Sequence, residues 1–417
     1  MSAYNALAWL NFFIADVRDG LGPYLGVFLK NYHFSEGQIG LIGTITSLCA
    51  LLFGVPLGIL VDKTPYKRTL IAFCICAISG SVLLNFLYPT FLFTLIAQLA
   101  IALCGVFLAP AFAAITLGIV GREQYALQTS KNEAYKHAGT AFSAGLSLVC
   151  AWYYGITSIF IITILMGVFS LLCLALLRNV SINHALARGD EETIVTMFKP
   201  KSLKRSFMDK RIMALSFAMF CFHLSNAAML PLLSQRAHTL GIDSSGAYAA
   251  ATIIIAQSTM IVIALVCGKL IVNPLGDSHR DLHDDSDSKL SKTLFALMTI
   301  SLLGLCVRAM IAANYEGLGG MVATQILDGV GAGITGVIVP ILVAIVLRGS
   351  GHINAGFSFV MTWGGIGGAL SGSLGGFVAQ YFGYFYAYIA LGSAALLGLI
   401  VWSFSWVVFR HLAQVHF

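Results

Sequence analysis

Three charged side chains within one long apolar stretch are the residues whose types and spacing could do chemistry. Residues 11–29 are long and apolar enough to cross a bilayer, yet Asp16, Arg18 and Asp19 lie near their middle. A charge at that depth costs at least about 2.5 kcal/mol, so these side chains must face protein or a water-filled path. The stretch is therefore a candidate site for a substrate or a proton, and a static network of salt bridges between helices is the alternative.

The spacing of these charges predicts an interrupted helix. Asp16 and Asp19 lie three residues apart and share one helix face, while Arg18 points about 100° away from Asp19. Pro23 has no N–H, so the carbonyl of Asp19, four residues earlier, loses its helical hydrogen-bond partner. Irregular backbone at membrane depth is tolerated only where it is buried in protein or lines a cavity. We therefore expect the helix to weaken beside the charges.

The composition indicates a polytopic membrane protein. Of the 417 residues, 58% are hydrophobic and 10% are charged, whereas soluble domains carry about 25% charged residues. The net charge of +6 comes mostly from short loops without a basic stripe or interleaved aromatic residues, which argues against binding to nucleic acid. The nine cysteines lie in apolar segments and form no CxxC pair, so we predict neither a disulfide nor a zinc site.

Familiar catalytic signatures are missing from the sequence. It contains no HExxH, no GxSxG and no GxxxxGK[ST] motif. We therefore predict that the protein is not an enzyme, that it needs no cofactor and that it does not use ATP.

Twelve segments are long enough to span a bilayer as helices. They lie near residues 5–30, 37–61, 69–88, 91–119, 132–153, 156–178, 212–235, 245–272, 293–313, 318–347, 355–381 and 384–410. Lys and Arg concentrate in alternate loops, and the positive-inside rule then places both termini in the cytoplasm. The polar loop 181–210 separates an N-terminal half, 1–180, from a C-terminal half, 211–417. We expect an all-α fold in which each half contributes six helices.

Further polar residues lie inside the later segments. Arg308 and Asp328 occupy the ninth and tenth segments, which run in opposite directions, so the two side chains can lie at similar depth. Either they form an ion pair that holds the two helices together, or Asp328 faces a central cavity opposite the acids of the first segment. His223 and Asn226 of the seventh segment are candidate cavity residues, although a lone histidine in a helix bundle is more often a satisfied core group.

The start of the fifth segment is a candidate gate. Asn132 would be the N-cap of a helix over residues 132–153, Glu133 would lie in its first turn, and His137 lies deeper. A gating role for Glu133 and His137 competes with a capped helix start at the membrane interface. The Asp and His residues of the loop 277–287 could bind a divalent ion, but an acidic solvated loop is commoner, so we predict no metal site.

The loop after the second segment carries a family resemblance. It reads Gly58-Ile-Leu-Val-Asp62-Lys63-Thr-Pro65-Tyr-Lys67-Arg68. A Gly, three residues, an Asp, a basic residue and a basic cluster resemble the signature loop of the major facilitator superfamily, with Pro65 where Gly is usual. Two halves of six helices are also the arrangement of that superfamily. The DVRDGLGPYL of the first segment and the KNEAYKHAG at 131–139 resemble a little-characterised bacterial branch.

The resemblance implies a latch at the cytoplasmic face. In the superfamily the signature-loop Asp pairs with the N-terminal end of the eleventh helix and with a nearby Arg. This implies that Asp62 meets the amides near Ala355 and Gly356, with Arg122 as a candidate ion partner. The residues expected to take part in gating or in the conformational change are Pro23, Gly58, Asp62, Lys63, Arg68, Arg122, Asn132, Glu133, His137 and Asn354.

The resemblance also implies a secondary active transporter that works by alternating access around a midplane site. Intramembrane carboxylates favour a proton as the coupling ion. We hypothesise that Arg18 binds an anionic group of a small-molecule substrate, which Asp16 or Asp19 releases on protonation. A drug or metabolite exporter, an uncoupled facilitator and a membrane receptor or scaffold are the alternatives. We expect a monomer in the lipid bilayer of a bacterial inner membrane. The residues expected to bind substrate or protons are Asp16, Arg18, Asp19, Asp328, Arg308, His223 and Asn226.

Overall fold

The computed structural model describes residues 1–19, 21–190, 202–242, 247–276 and 284–409. The described backbone is helical and has no strand. Its helices are α1 (Ala3–Asp19), α2 (Gly22–Asn31), α3 (Glu36–Lys63), α4 (Lys67–Leu87), α5 (Phe91–Tyr154), α6 (Ser158–Leu176), α7 (His184–Arg188), α8 (Leu203–Phe207), α9 (Lys210–Asn226), α10 (Met229–Thr239), α11 (Ala247–Gly276), α12 (Asp284–Asn314), α13 (Leu318–Val346), α14 (Ile353–Phe382) and α15 (Tyr384–Phe409).

Twelve segments of this helical chain cross the membrane, as predicted. Within the described residues, nine helical segments are long and apolar enough to do so by length and composition. One of the nine is α5, which crosses twice because it contains a kink. The pair of α1 and α2, and the glycine-rich α14, make up the remaining two.

The first span is interrupted beside its charges, which confirms the expected weakening. α1 ends at Asp19, and α2 begins at Gly22. Pro23 lies in the first turn of α2, where an N–H would have no helical partner in any case. Arg18 occupies the last turn of α1, where a cation is favourable.

α5 consists of two helices joined at Gly121. This residue has φ 76° and ψ 174°, a conformation that residues with a side chain rarely adopt. The second arm, residues 122–154, therefore begins ten residues before the predicted start at Asn132, and that prediction is wrong. Asn132 is not an N-cap, and Glu133 does not lie in a first turn. The intervening residues are polar enough to resemble a loop, yet several of them are buried within the helix packing.

A proline followed eleven residues later by a glycine of positive φ occurs in each half of the sequence. Pro110 precedes Gly121 by eleven residues, and Pro340 precedes Gly351 by the same spacing. Gly351 has φ 72°, and α14 begins shortly after it. The repeat therefore aligns the second arm of α5 with α14.

The chain divides into two compact units. Unit 1 comprises Met1–Phe198 and Gly351–Ser358, and unit 2 comprises Lys199–Ser350 and Phe359–Phe417. The first residues of α14 thus belong with unit 1. The division into halves at residues 180 and 211 stays a prediction.

Each unit contains a crossing at which a glycine lets two spans approach closely. In unit 1, a Cβ on Gly139 of α5 would overlap the carbonyl oxygen of Phe12 on α1. In unit 2, a Cβ on Gly367 of α14 would overlap the carbonyl oxygen of Phe220 on α9. Small residues at such crossings bring the backbones together and allow the helices to pack over a large area.

Candidate functional site

A buried ion pair joins two spans of unit 2. The Arg308 side chain of α12 is 1% exposed, and its Nη1 lies 3.1 Å from Oδ1 of Asp328 on α13. The same Nη1 donates to Oδ1 of Asn226, the last residue of α9. Of the two alternatives for Arg308 and Asp328, the structure has the ion pair. It brings three of the predicted site residues together.

One edge of the Arg308 guanidinium, formed by Nε and Nη2, meets no hydrogen-bond acceptor in the described part of the chain. Its Nε and Nη2 atoms are buried and make no hydrogen bond there. Gln325, one turn before Asp328 on α13, is 0% exposed. Neither atom of its amide group has a hydrogen-bond partner among the described residues. A buried polar group without a partner costs about 1–3 kcal/mol, so a ligand that supplied the missing partners would bind favourably.

His223 lies under α14 in unit 2. A Cβ on Gly364 would lie 2.7 Å from the Cδ2 atom of His223 and 3.3 Å from its Nε2 atom. The glycine therefore makes room for the imidazole. His223 is one turn before Asn226 on α9, so the two residues share a helix face. The imidazole of His223 therefore packs against α14.

In unit 1, Arg18 of the first span lies against α5, and Asp16 is buried. Asp16 is 3% exposed, and Arg18 is half-buried. The aliphatic stem of Arg18 crosses Gly105 of α5, where a Cβ would lie 3.4 Å from the Cγ atom of Arg18. Both charged side chains interact with neighbouring groups. The side chains of Asp19 and Pro23 lie outside what the structure describes.

Asn132 links the two arms of α5 instead of capping a helix. Its Nδ2 donates to Oγ1 of Thr116 in the first arm, at 3.1 Å. Its Oδ1 accepts from Nε2 of Gln128, one turn earlier, at 2.8 Å. Gln128 Nε2 also donates to the carbonyl of Tyr4 in α1, at 2.8 Å. This network fixes the kinked α5 to the start of the first span.

Glu133, Lys136 and His137 form a charged group on the second arm of α5. Glu133 accepts a hydrogen bond from Lys136. The Nε2 atom of His137 lies 3.7 Å from Oε2 of Glu133. The histidine therefore has a carboxylate beside it. The gating role of Glu133 and His137 stays a prediction.

Asp62, near the C-terminal end of α3, binds the start of α14 within unit 1. Its Oδ1 accepts from the backbone N–H of Asn354 at 3.1 Å and from the Nδ2 of Asn354 at 2.8 Å. Its Oδ2 accepts from the backbone N–H of Ala355 at 2.9 Å. The Ala355 contact is the expected one, whereas the N–H of Gly356 donates to the carbonyl of His352, the residue before α14. We call Asp62, Asn354 and Ala355 the latch.

Gly58 and α7 hold the latch in place. A Cβ on Gly58 would overlap Ser358 and would lie 2.8 Å from the carbonyl oxygen of Asn354. The glycine therefore allows α3 to approach α14. Asn354 Nδ2 also donates to the carbonyl of Ala187 in α7, at 2.9 Å. Asn354 is thus bound on two sides, by a carboxylate and by a carbonyl.

The predicted basic residues contact the segment that follows α6. Arg68 donates to the carbonyl of Arg178 at 3.0 Å. Arg122 donates from Nη2 to the carbonyl of Asp190 at 3.3 Å. Lys63 is exposed at the end of α3. An ion pair between Arg122 and the latch carboxylate stays a prediction.

Comparisons with known proteins decide the family. The model of the Major Facilitator Superfamily matches residues 7–279. An uncharacterized MFS-type transporter of Mycobacterium tuberculosis, found in strain H37Rv and in strain CDC 1551, is 31% identical over 400 residues. The match covers 95% of this chain and 91% of that protein. The chain belongs to the major facilitator superfamily.

Solved structures of major facilitator superfamily proteins share its fold. The transporter FucP in its outward conformation has a TM-score of 0.72 at 16% identity, covering 97% of this chain and 98% of that one. The human organic anion transporter MFSD10 has a TM-score of 0.70 at 13% identity, and the match covers 96% of this chain and 98% of that one. At these identities the likeness shows the fold alone. This superfamily member is a multi-pass membrane protein of twelve spans that carries a small molecule across the membrane.

Sequence reasoning missed one polar residue of this superfamily member's candidate site. Gln325 lies three residues before Asp328, and that helical spacing was the signal that could have found it. Ser225, next to Asn226, has a buried hydroxyl that makes no hydrogen bond within the described residues. Among those residues there is also no group of three or more His, Cys, Asp or Glu that could hold a metal ion. The candidate metal loop 277–287 lies outside them, apart from the backbone of its last residues.

Proposed function

We propose that this superfamily member is a secondary active transporter that moves its substrate by alternating access and is coupled to protons. The observation that carries the proposal is the buried ion pair between Arg308 and Asp328. Asp328 is 8% exposed and lies within a membrane span. A proton on its carboxylate would remove the negative charge that balances Arg308.

The size of this effect suits a transport cycle. Removing one partner of a buried ion pair costs about 3–5 kcal/mol, because the other charge is left uncompensated. Moving a two-state protein from one state to the other almost completely requires about 5.5 kcal/mol of differential binding. One proton on Asp328 would therefore supply much of the free energy that separates two conformations.

The first span supplies a second part of the proposal. Arg18 would bind an anionic group of the substrate, and Asp16 or Asp19 would release it on protonation. The burial of Asp16, the packing of Arg18 across α5 and the break between α1 and α2 support this role. Irregular backbone at membrane depth is typical of transporter binding sites.

The remaining features of the proposal concern the setting. The protein would lie in a bacterial inner membrane as a monomer, with both termini in the cytoplasm, because its Lys and Arg residues concentrate in alternate loops. It would catalyse no chemical reaction and use no cofactor.

Flux into proteoliposomes tests the proposal. A ligand found by thermal-shift screening of the purified full-length protein should accumulate when an inward proton gradient is imposed. Asp328→Asn should abolish this accumulation while exchange of labelled for unlabelled ligand continues. Asp209→Asn is the matched control, because Asp209 pairs with Arg211 at the start of α9, whereas Asn226 of the site is the last residue of that helix.

Two results would contradict the proposal. If Asp328→Asn and Asp19→Asn both leave pH-dependent transport intact, the protein is not proton-coupled through these carboxylates. If a ligand stabilises the protein against heat but never enters the vesicles, the protein is a receptor and not a transporter.

A further inference from the structure

We propose that the substrate is a small monocarboxylate whose two oxygens bind the Nε–H and Nη2–H groups of Arg308. The inference rests on the proposed function, because it names the substrate class of the Arg308 ion pair. It differs from the hypothesis for the first span, which places the anionic group on Arg18. Gln325 would be the residue that selects among carboxylates.

The geometry of the Arg308 guanidinium points to a carboxylate. Nε–H and Nη2–H of an arginine point in the same direction, and their spacing matches the two oxygens of a carboxylate. In Arg308 the interactions with Asp328 and Asn226 both use Nη1. The Nε and Nη2 atoms are buried and have no hydrogen-bond partner in the part of the chain that the structure describes. The edge suited to bidentate binding is thus the edge that the described residues leave unused.

The same unit contains an example of the contact that we propose. Arg211 donates from Nε to Oδ1 of Asp209 at 3.0 Å and from Nη2 to Oδ2 of Asp209 at 2.8 Å. There the side edge of an arginine holds a carboxylate of the protein. At Arg308 the equivalent edge would hold the carboxylate of a substrate.

Charge balance favours a substrate with one negative charge. Arg308 and Asp328 together carry no net charge, so a bound carboxylate would leave one uncompensated negative charge in a buried site. A proton taken up by Asp328 removes that charge, and Arg308 then pairs with the substrate. One monocarboxylate and one proton would therefore bind together, whereas a phosphate dianion would need two protons.

Other ionisable groups lie around the pair. Arg236, which lies over the ring of Tyr388, is itself paired with Glu316. From α9, His223 packs under Gly364, and from α15, Tyr388 interacts with the charge of Arg308. From α11, the groups that meet α13 at its glycines are the side chains of Thr259 and Ile263, which do not titrate. Asp328 is therefore the group whose protonation we link to carboxylate binding.

Gln325 can form hydrogen bonds to the part of the substrate that lies beside the substrate's carboxylate. It lies on the same side of α13 as Asp328, one turn away, and is fully buried. Its amide offers both a donor and an acceptor, and neither is used by the described residues. A hydroxyl or carbonyl group beside the carboxylate would be the complementary feature.

Matched pairs of small compounds test the substrate class. The probes are the straight-chain monocarboxylates from acetate to octanoate, lactate and benzoate, each compared with its neutral amide. Binding is measured by thermal unfolding of the full-length protein in detergent, and proton uptake is measured with an indicator dye in weak buffer. At least one carboxylate should stabilise the protein in a saturable way, should take up about one proton per molecule bound, and should bind more tightly than its amide.

Three variants separate the proposed contact from a merely structural role. Arg308→Lys should weaken carboxylate binding about tenfold or more, because lysine has no planar fork. Arg211→Lys, at the pair with Asp209, should leave binding unchanged. Gln325→Met removes an unpartnered amide and keeps the volume, so the ligand-free protein should melt at the same or a higher temperature. The same variant should still bind carboxylates less tightly than the native protein does.

The outcomes distinguish this inference from the proposed function. If no carboxylate stabilises the protein more than its amide, or if Arg308→Lys and Gln325→Met both bind with native affinity, the inference is overturned. If neutral compounds are transported without dependence on Arg308, transport stands and the inference fails. If a carboxylate binds through Arg308 with proton uptake but never crosses the membrane, the inference stands and the proposed function fails.

Discussion

Replacing Asp62 by Asn should loosen the start of α14, because the latch depends on the charge and on both oxygens of the carboxylate. The two oxygens accept three hydrogen bonds of 2.8–3.1 Å from Asn354 and Ala355, and Asp62 is 4% exposed. An asparagine can keep the bonds to Asn354 with its one oxygen. Its NH₂ group would then face the N–H of Ala355, and neither of these two donors could bond to the other.

The structure gives the magnitude of this effect. A buried N–H that loses its partner costs about 1–3 kcal/mol. Loss of a negative charge at a helix N-terminus costs about 0.3–1 kcal/mol, and up to about 2 kcal/mol at partly buried sites. The sum is about 1.3–5 kcal/mol. Because 1.4 kcal/mol corresponds to a factor of ten, the start of α14 should open roughly 10 to 4,000 times more often.

Hydrogen exchange measured by mass spectrometry on the full-length protein in nanodiscs is the assay. Peptides that cover residues 351–358 should lose protection in Asp62→Asn by the factor given above. Asp209→Asn is the matched control, since Asp209 caps α9 with a bond to the N–H of Arg211 and asparagine is an equally good cap. Unchanged exchange at 351–358 in Asp62→Asn would refute the view that the latch carboxylate stabilises this helix start.

Two further predictions follow from close packing and from charge. Gly139→Ala should lower stability by about 1–3 kcal/mol, because the new methyl group overlaps the backbone of α1. In the control variant Gly145→Ala the new methyl group meets no atom within 4 Å, so this change should be neutral or stabilising. Equal melting temperatures for the two variants would contradict the close crossing of α1 and α5. Burial, and then the neighbouring Lys67, Arg68 and Arg188, lower the pKa of His184 in α7 below its ordinary value. The unfolded chain therefore binds a proton at His184 before the folded protein does, so stability should fall as the pH drops below about 6.5. His184→Gln should make that part of the pH profile of the melting temperature flatter, and a profile identical to that of the native protein would count against the shift.

The features that could be predicted from sequence are those set by local chemistry. Pro23 removes a backbone donor wherever it lies, so the break in the first span followed from the residue type alone. The contact between Asp62 and the start of α14 followed from a family resemblance together with the attraction of a carboxylate to a helix N-terminus. Arg308 and Asp328 had to find partners because both lie deep in apolar segments.

The features that were missed depend on long-range packing. The second arm of α5 starts early because Gly121 adopts a positive φ, and its polar residues find partners in α1 and in the first arm. The sequence does carry a sign of this early helix start, because Pro110 and Gly121 have the same spacing as Pro340 and Gly351. That sign becomes visible only when the two halves of the sequence are compared. The spacing of Gln325 from Asp328 was visible in the sequence, but the lack of a partner for its amide among the described residues depends on the neighbouring helices and not on its own segment.

The gap between α1 and α2 has a mechanical consequence. When a continuous membrane helix bends, it must break backbone hydrogen bonds where no water can replace them, at several kcal/mol for each unsatisfied group. The first span is already divided, since α1 ends at Asp19 and α2 begins at Gly22. α2 can therefore change its angle to α1, next to Asp16 and Arg18, without breaking further backbone hydrogen bonds.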